Sequence, residues 1–307
     1  MLIDVDLDVA ESAARTLADQ TGFSASRVSW GSSIGGDPTI DVTILAVACG
    51  EHSALASEAL RLGHDVVSVT DRLDDVADLL NMDEVARANG RRLLVGAGMM
   101  PGLSDVLAKH GAPWFDELHE IHVAKFGTGG PACARQHHRA LSGICFDWRD
   151  GWQRRAGGSG RELVWFPEPV EAADCYRARL ADPRLLRRSH PDVHRITARV
   201  AATRRDRMTM QLPMLRRPHP EGLLGAVRVE LRGLIEGVQT EIVLGCAERP
   251  AVAAGVVAAT ATETLVGSAI EPGSWGLAEV VDSIVFLEAV KNRGLRPEVF
   301  VGTGETY

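Results

Sequence analysis

The sequence predicts an α/β chain: a doubly wound parallel sheet at its start, followed by an α+β region. Three observations predict it. The apolar runs Val42-Thr43-Ile44-Leu45-Ala46-Val47-Ala48, Val66-Val67-Ser68-Val69 and Leu93-Leu94-Val95 have the continuity of strands buried on both faces. Helical spacing fills the intervals between them, as in units with parallel strands and right-handed crossovers. The third run stops at a glycine-rich turn, Gly96-Ala97-Gly98-Met99-Met100-Pro101-Gly102, and helical spacing resumes at Leu103.

The elements follow in order. Leu2-Ile3-Asp4 is a short apolar segment ending in acid, and Asp8 is placed to cap a helix through Ala10, Ala13, Ala14 and Leu17. The run from Val42 reads as a central strand ending at Cys49-Gly50. Ser53 to Leu62 is helical, with Gly63 as its stop. The next strand ends at Asp71, and Leu73 to Asn89 reads as one helix stopped by Gly90. In the turn behind Leu93, glycines let the backbone bend sharply and approach a ligand, and Pro101 suits the first turn of the following helix. The spacing is G-x-G-x-x-x-G, which is not the dinucleotide fingerprint G-x-G-x-x-G. Ligands of parallel sheets sit beyond the carboxyl ends of the strands. Asp4, Cys49, Gly50, Asp71 and the turn carrying Gly96, Gly98, Met100 and Pro101 converge on that edge.

Composition narrows the function classes. The chain has 307 residues, 45% hydrophobic and 24% charged, with a net charge of −8, which gives no general attraction to nucleic acid or acidic lipid. No stretch approaches the ~20 uninterrupted apolar residues of a membrane span, and the N-terminus does not read as a signal peptide. Cysteines stand at 49, 133, 145, 175 and 246 with no C-x-x-C pair, so reduced thiols in a cytoplasmic protein are expected. Lysine occurs only at 109, 125 and 291.

A second region begins near Glu117. Leu118 to Ala124 alternates like a half-exposed strand, apolar at 121 and 123. Gly127-Thr128-Gly129-Gly130-Pro131 is a turn whose proline opens a helix, placing Arg135, His138 and Arg139 on or near one face. Free glycine amides at Gly129 and Gly130, backed by Arg135, suit a substrate carboxylate or phosphate; the same residues suit a tight turn before an exposed basic helix. His137 or His138 suits proton donation near neutral pH, or a surface position. Lys125 either pairs with a substrate acid or sits exposed. Cys133, His137 and His138 carry metal-ligand chemistry, but adjacent helical histidines point ~100° apart. No further cysteine or histidine pair completes a four-ligand set, so no metal is expected. Between Arg177 and Arg217 stand twelve arginines against three acids, which read as solvated faces or an anion pocket. Arg204 and Arg205, between strand-like segments, are the pair placed to fork a substrate carboxylate. Gly157 to Gly160 is a hairpin tip or loop. Val227 to Gly233 alternates strictly and pairs with Val238 to Leu244 across Glu236-Gly237. Pro250 opens a small-residue core helix through Leu265, and Leu277 to Val290 is the last helix, stopped near Gly294.

Three stretches, Asp4 to Glu11, His64-Asp65-Val66-Val67-Ser68-Val69-Thr70-Asp71 and Gly96 to Ser104, resemble the saccharopine dehydrogenase-like oxidoreductases. There the corresponding motifs are a D-R-D-like strand end, a V-x-Y-V-D-L-T-D strand and a G-x-G-x-x-P-G-L-[ST] loop. The resemblance implies a Rossmann-like nucleotide-binding domain over 1–116, a substrate and dimerisation domain over 117–270, and a segment over 271–307 that returns to the first domain. It implies NAD or NADP bound along Asp4, Cys49, Gly50, Asp71, Gly96, Gly98, Met100 and Pro101. Val5 after Asp4, where a 2′-phosphate would want arginine, tilts the cofactor to NAD. Substrate then falls to Gly129, Gly130, Arg135, Arg204 and Arg205, with His137, His138 or Lys125 handling protons. The family's first strand and glycine-rich loop have no counterpart before Asp4. Either the true protein begins about 30 residues earlier, one βα unit, which the otherwise intact pattern favours, or this is a degenerate member that has lost cofactor binding. The expected activity is hydride transfer on a small amino- or keto-acid by a homodimer. The alternative is a non-catalytic small-acid-binding or dimerising protein.

Overall fold

A computed structural model describes residues 2–3, 7–21, 30–31, 40–215 and 217–300. Asp4 lies outside the described residues. At the start, β1 (Leu2–Ile3) and β2 (Trp30–Gly31) pair in parallel around α1 (Leu7–Thr21). The next elements are β3 (Val42–Leu45), α2 (His52–Arg61), β4 (Asp65–Ser68), α3 (Leu73–Leu80), α4 (Asp83–Ala88), β5 (Arg92–Val95) and α5 (Leu103–Gly111). Strands β3, β4 and β5 are neighbours and parallel. The side chains of β4 and β5 alternate between two covered faces, as continuous apolar runs require. Val66, Leu93 and Val95 join Leu60, Val76 and Leu79 on one side. Val67 and Leu94 join Val106, Leu107 and Val257 on the other.

Two readings of this half are corrected. The run from Val42, expected at the centre, forms the edge of the described sheet, with Ile44 44% exposed; among the described residues β4 is its one strand partner. The helix expected over Leu73 to Asn89 breaks at Asn81 and Met82. The break re-aims α4 so that Asp83 Oδ1 accepts the Ser274 amide at 2.9 Å. That bond anchors a strand from far along the chain.

The second region supplies β6 (Glu117–Phe126), α6 (Pro131–Ala140), β7 (Ile144–Arg149), β8 (Trp152–Ala156), β9 (Glu162–Trp165), β10 (Ala172–Arg177), α7 (Asp182–Ser189), β11 (Arg195–Ala201), α8 (Arg204–Met208), β12 (Gly225–Ile235) and β13 (Val238–Glu248). After α9 (Pro250–Gly267) come β14 (Gly273–Gly276), α10 (Leu277–Val280), α11 (Ser283–Asn292) and β15 (Glu298–Val299). The large sheet runs β15-β13-β12-β6-β11-β10-β9, with β7 and β8 attached through β11. Its strands are antiparallel apart from the β6–β11 pair. The β12–β13 hairpin turns at Glu236 and Gly237, both at positive φ (52° and 74°), the backbone a two-residue turn of matching twist demands. Gly157 to Gly160 is a loop, because β8 pairs with β7 and β9 with β10.

Strand β14 returns to the first sheet and lies parallel to β5, which makes its order β14-β5-β4-β3. The last helix is interrupted at Val281, where Asp282 caps α11 by accepting from the Ile284 and Val285 amides. One hydrophobic core runs through both sheets, from Val67 and Leu94 to Ile121, Val229 and Leu231. Helix α9 alone among the described helices has the length and apolar composition of a membrane span. Here it is a core helix: Ala253, Val257, Ala261 and Leu265 are buried against both sheets. The fold is therefore α/β, a Rossmann-like parallel sheet joined to a larger mixed sheet.

Candidate active site

A cleft of about 560 Å³ opens where the carboxyl ends of β3, β4 and β5 meet the second region. Three walls form it. The strand-end segments 46–49, 69–71 and 98–100 make the first, and Lys125 of β6 with the turn 129–133 makes the second. The third is the small-residue face of α9, including Ala254, Gly255 and Ala258.

A cluster of charged and soft side chains forms at the junction of the first two walls. Asp71 stands three residues past the end of β4. Lys125 follows Ile121 and Val123 on the inward face of β6 and is 5% exposed, so the alternation seen in the sequence delivers a lysine into the interior. Its Nζ lies 3.5 Å from Asp71 Oδ2. Helix α6, opened by Pro131 as expected, carries Cys133, Gln136 and His137. Residues 133 and 137, one turn apart, share a face. His137 Nε2 is 2.6 Å from Asp71 Oδ2 and 3.8 Å from Cys133 Sγ, and Cys133 Sγ is 4.0 Å from the same oxygen. Gln136 Nε2 donates to the other oxygen, Asp71 Oδ1.

The charges set one another. Burial works against an imidazolium, but the Cys133 thiolate and Asp71 outweigh it, and the pKa of His137 rises to about 9. Burial pushes the Cys133 thiol up, but His137 and Lys125 pull it down to about 7. Burial would lower Lys125, yet Cys133, Asp71 and Asp182 hold it above its ordinary value. Burial would raise Asp71, and His137 with Lys125 holds it well below the usual carboxylate range.

Behind this cluster lie two further acids. Asp105 and Asp182 are fully buried, and Ser104 Oγ reaches Oδ1 of each, at 3.4 and 3.3 Å. The second oxygen of each has no hydrogen-bond partner among the described residues. Burial, then Asp182, raises Asp105, and burial lifts Asp182 to about 7, so one proton is retained within the pair.

The structure brings together only part of the set read from sequence. Cys49, Asp71, Gly98, Met100, Lys125, Gly129 and Gly130 line the cleft. Asp71, expected on the cofactor side, has both oxygens engaged by α6 and β6 instead. His137 sits just behind Cys133 and Asp71. Gly50, Gly96 and Pro101 support the walls without lining them. The Gly50 amide is bonded to Asp75 Oδ2 at 2.9 Å, and Gly96 lies beneath Leu185. Pro101 falls in the turn before α5, which Gly102 caps, so it does not occupy the helix's first turn.

Four other expectations change. His138 is buried away from Arg135 and Arg139, and its Nε2 holds the carbonyls of Thr209 and Leu212, both at 3.1 Å. Arg135 is exposed and off the cleft. Arg204 and Arg205 fall between strands β11 and β12 in chain order, as expected, but are exposed on α8, a short helix closed by a Thr203–Asp206 capping box, and do not line the cleft. Among the other arginines of that stretch, Arg177 pairs with Asp147 at 2.7 Å and Arg199 with Glu162 at 2.9 Å, which consumes charge an anion pocket would need.

Sequence reasoning missed Gln136, Ser104, Asp182 and His52. His52 is buried on the cleft wall, its Nδ1 2.9 Å from Ser68 Oγ. The available signal was positional: Ser104 and Asp105 stand two and three residues past Gly102 of the glycine-rich turn, and Gln136 precedes His137.

The parallel sheet, its carboxyl-edge cleft and the mixed sheet against it define a Rossmann-like fold. The chain is similar to saccharopine dehydrogenase (L-Glu forming) from Saccharomyces cerevisiae, with TM-score 0.66 and 12% identity over 97% of this chain and 93% of that one. The C. glutamicum DAP dehydrogenase in complex with DAP has TM-score 0.46 and 14% identity over 87% of each chain. At such identity the yeast likeness establishes the fold. No family profile matches the chain, and no curated protein sequence matches it.

Proposed function

We propose that the chain is an NAD(P)-dependent oxidoreductase acting on a small amino- or keto-acid. Lys125 carries this reading: a buried ammonium at the carboxyl edge of a Rossmann-like sheet, opening on the cleft and held charged by Asp71. The activity named for the yeast structure, which forms L-glutamate, supports a C–N or carbonyl centre on an amino-acid skeleton.

The cleft suits the nicotinamide end of such a cofactor. Ala254, Gly255 and Ala258 offer a flat wall for a planar ring, with Cys49, Gly98 and Met100 at its margins. When bound, the nicotinamide would supply or accept the hydride. The chain's own residues do the rest. Lys125 binds the substrate oxygen or carboxylate and moves a proton at Nζ, Asp71 keeps Nζ charged between turnovers, and His137 with Gln136 fixes the Asp71 carboxylate. The apolar walls exclude water from the reacting carbon.

Calorimetric titration of the chain with NADH and NADPH, followed by turnover assays on a panel of small amino and keto acids, tests the reading. Saturable binding of one nucleotide with substrate-dependent oxidation is expected. No binding of either nucleotide overturns it.

A further inference from the structure

We infer that Asp71, Cys133 and His137 form a three-ligand site for a single divalent ion of the Zn²⁺ class, with its remaining coordination position open to the cleft. Donor chemistry comes first. One thiolate sulfur, one imidazole nitrogen and one carboxylate oxygen form a mixed soft set that favours zinc over calcium or magnesium, which take oxygen ligands. Three protein ligands with one position left for water or substrate is the composition of reactive zinc sites.

The geometry agrees. The three donor atoms lie within 4.8 Å of one another. Tetrahedral bonds of zinc length separate such donors by about 3.3 to 3.6 Å. The sulfur is 3.8 Å from His137 Nε2 and 4.0 Å from Asp71 Oδ2, so it closes by under half an ångström on each as the ion draws the ligands in. The Asp71–His137 contact at 2.6 Å opens by less than an ångström, as an ion replaces the shared proton.

Two ligands are pre-set by helix α6, one turn apart, and the third comes from the opposite wall. Gln136 donates to Asp71 Oδ1 and leaves Oδ2 pointing at the other two, which is the outer partner a metal-ligating carboxylate uses. Asp71 and Cys133 line the cleft, so an ion has a way in and a free side. His138 contributes nothing, because its Nε2 is occupied by the carbonyls of Thr209 and Leu212.

Lys125 sets the strength of the site. Its ammonium, 3.5 Å from Asp71 Oδ2, opposes a second cation there. The site is therefore weaker than the same three ligands would be without it, and metal occupancy competes with the Lys125–Asp71 pair.

The test uses the full chain, stripped with chelator and free of nucleotide, titrated with Zn²⁺ by calorimetry and with Co²⁺ by absorbance. One ion per chain and a thiolate-to-cobalt charge-transfer band are expected. Cys133→Ser should abolish that band and weaken binding at least tenfold. Lys125→Met should tighten binding several-fold, a gain that no folding defect produces. Absence of stoichiometric binding, affinity that Cys133→Ser leaves unchanged, or affinity that Lys125→Met leaves unchanged overturns the site. Because no nucleotide is present, these outcomes are separate from failure of the oxidoreductase reading.

Discussion

His137 Nε2 lies 2.6 Å from Asp71 Oδ2, a contact that joins helix α6 of the second region to the end of β4 in the first across 66 residues of chain. With Cys133 beside it, this contact ties the charge of each of the three groups to that of the others.

A pH window follows for Cys133. A raised histidine stabilises the fold below its unfolded pKa and loses that contribution as pH rises through about 9. A depressed thiol stabilises above its unfolded pKa and loses that contribution as pH falls through about 7. The thiolate–imidazolium pair is therefore complete between these two values. Peptide-resolved alkylation of Cys133 by iodoacetamide should show a midpoint near pH 7, and His137→Gln should raise it by about one unit or more. A wild-type midpoint at the ordinary ~8.5 would contradict the pairing.

Asp182 acts in the opposite direction. Its carboxyl is raised to about 7, so the fold loses stability as pH rises from the unfolded value towards 7 and holds the lower level above it. Asp182→Asn removes that loss. Urea midpoints of the variant, relative to the wild type, should increase between about pH 4.5 and 8. An equal difference at both ends would show that the carboxyl does not retain its proton.

Gly102 closes the turn beneath the cleft with φ at 126°, and a Cβ there would stand 2.2 Å from the Gly98 carbonyl oxygen. Backbone meets backbone, so neither can yield cheaply. Gly102→Ala should cost about 3 kcal/mol in urea unfolding. A loss under about 1 kcal/mol would show that the turn relaxes.

Lys125→Met tests the chemistry directly. If Lys125 moves the substrate proton, kcat should fall about 100-fold while the nucleotide dissociation constant changes little. Loss of nucleotide affinity with kcat intact would place Lys125 on the cofactor instead.

Much of the fold was legible because it is local. Both-face burial makes β4 and β5 read as unbroken apolar runs, while the one-sided β6 and the hairpin strands alternate. Prolines at 131 and 250 opened helices where expected, and Glu236-Gly237 made the turn. The failures have tertiary causes. Helix α3 ends early because Asp83 is needed at Ser274, 191 residues away in sequence. Strand β3 lies at the edge of the described sheet, since β4 is its one strand partner among the described residues. Arg204 and Arg205 carried the right chemistry for a carboxylate, on an exposed helix that does not line the cleft.

The site divides in the same way. By itself the sequence determined which side chains could do chemistry: a rare lysine at the end of an alternating strand, a cysteine and histidine one turn apart, an acid past a strand end. Periodicity suffices for that, because backbone geometry sets the direction of a side chain relative to its near neighbours. Only the tertiary structure decided that Asp71 meets Cys133, 62 residues on, and His137 rather than a cofactor hydroxyl. Partners of that separation depend on which elements pack together, and the charge each group carries depends on burial among those partners.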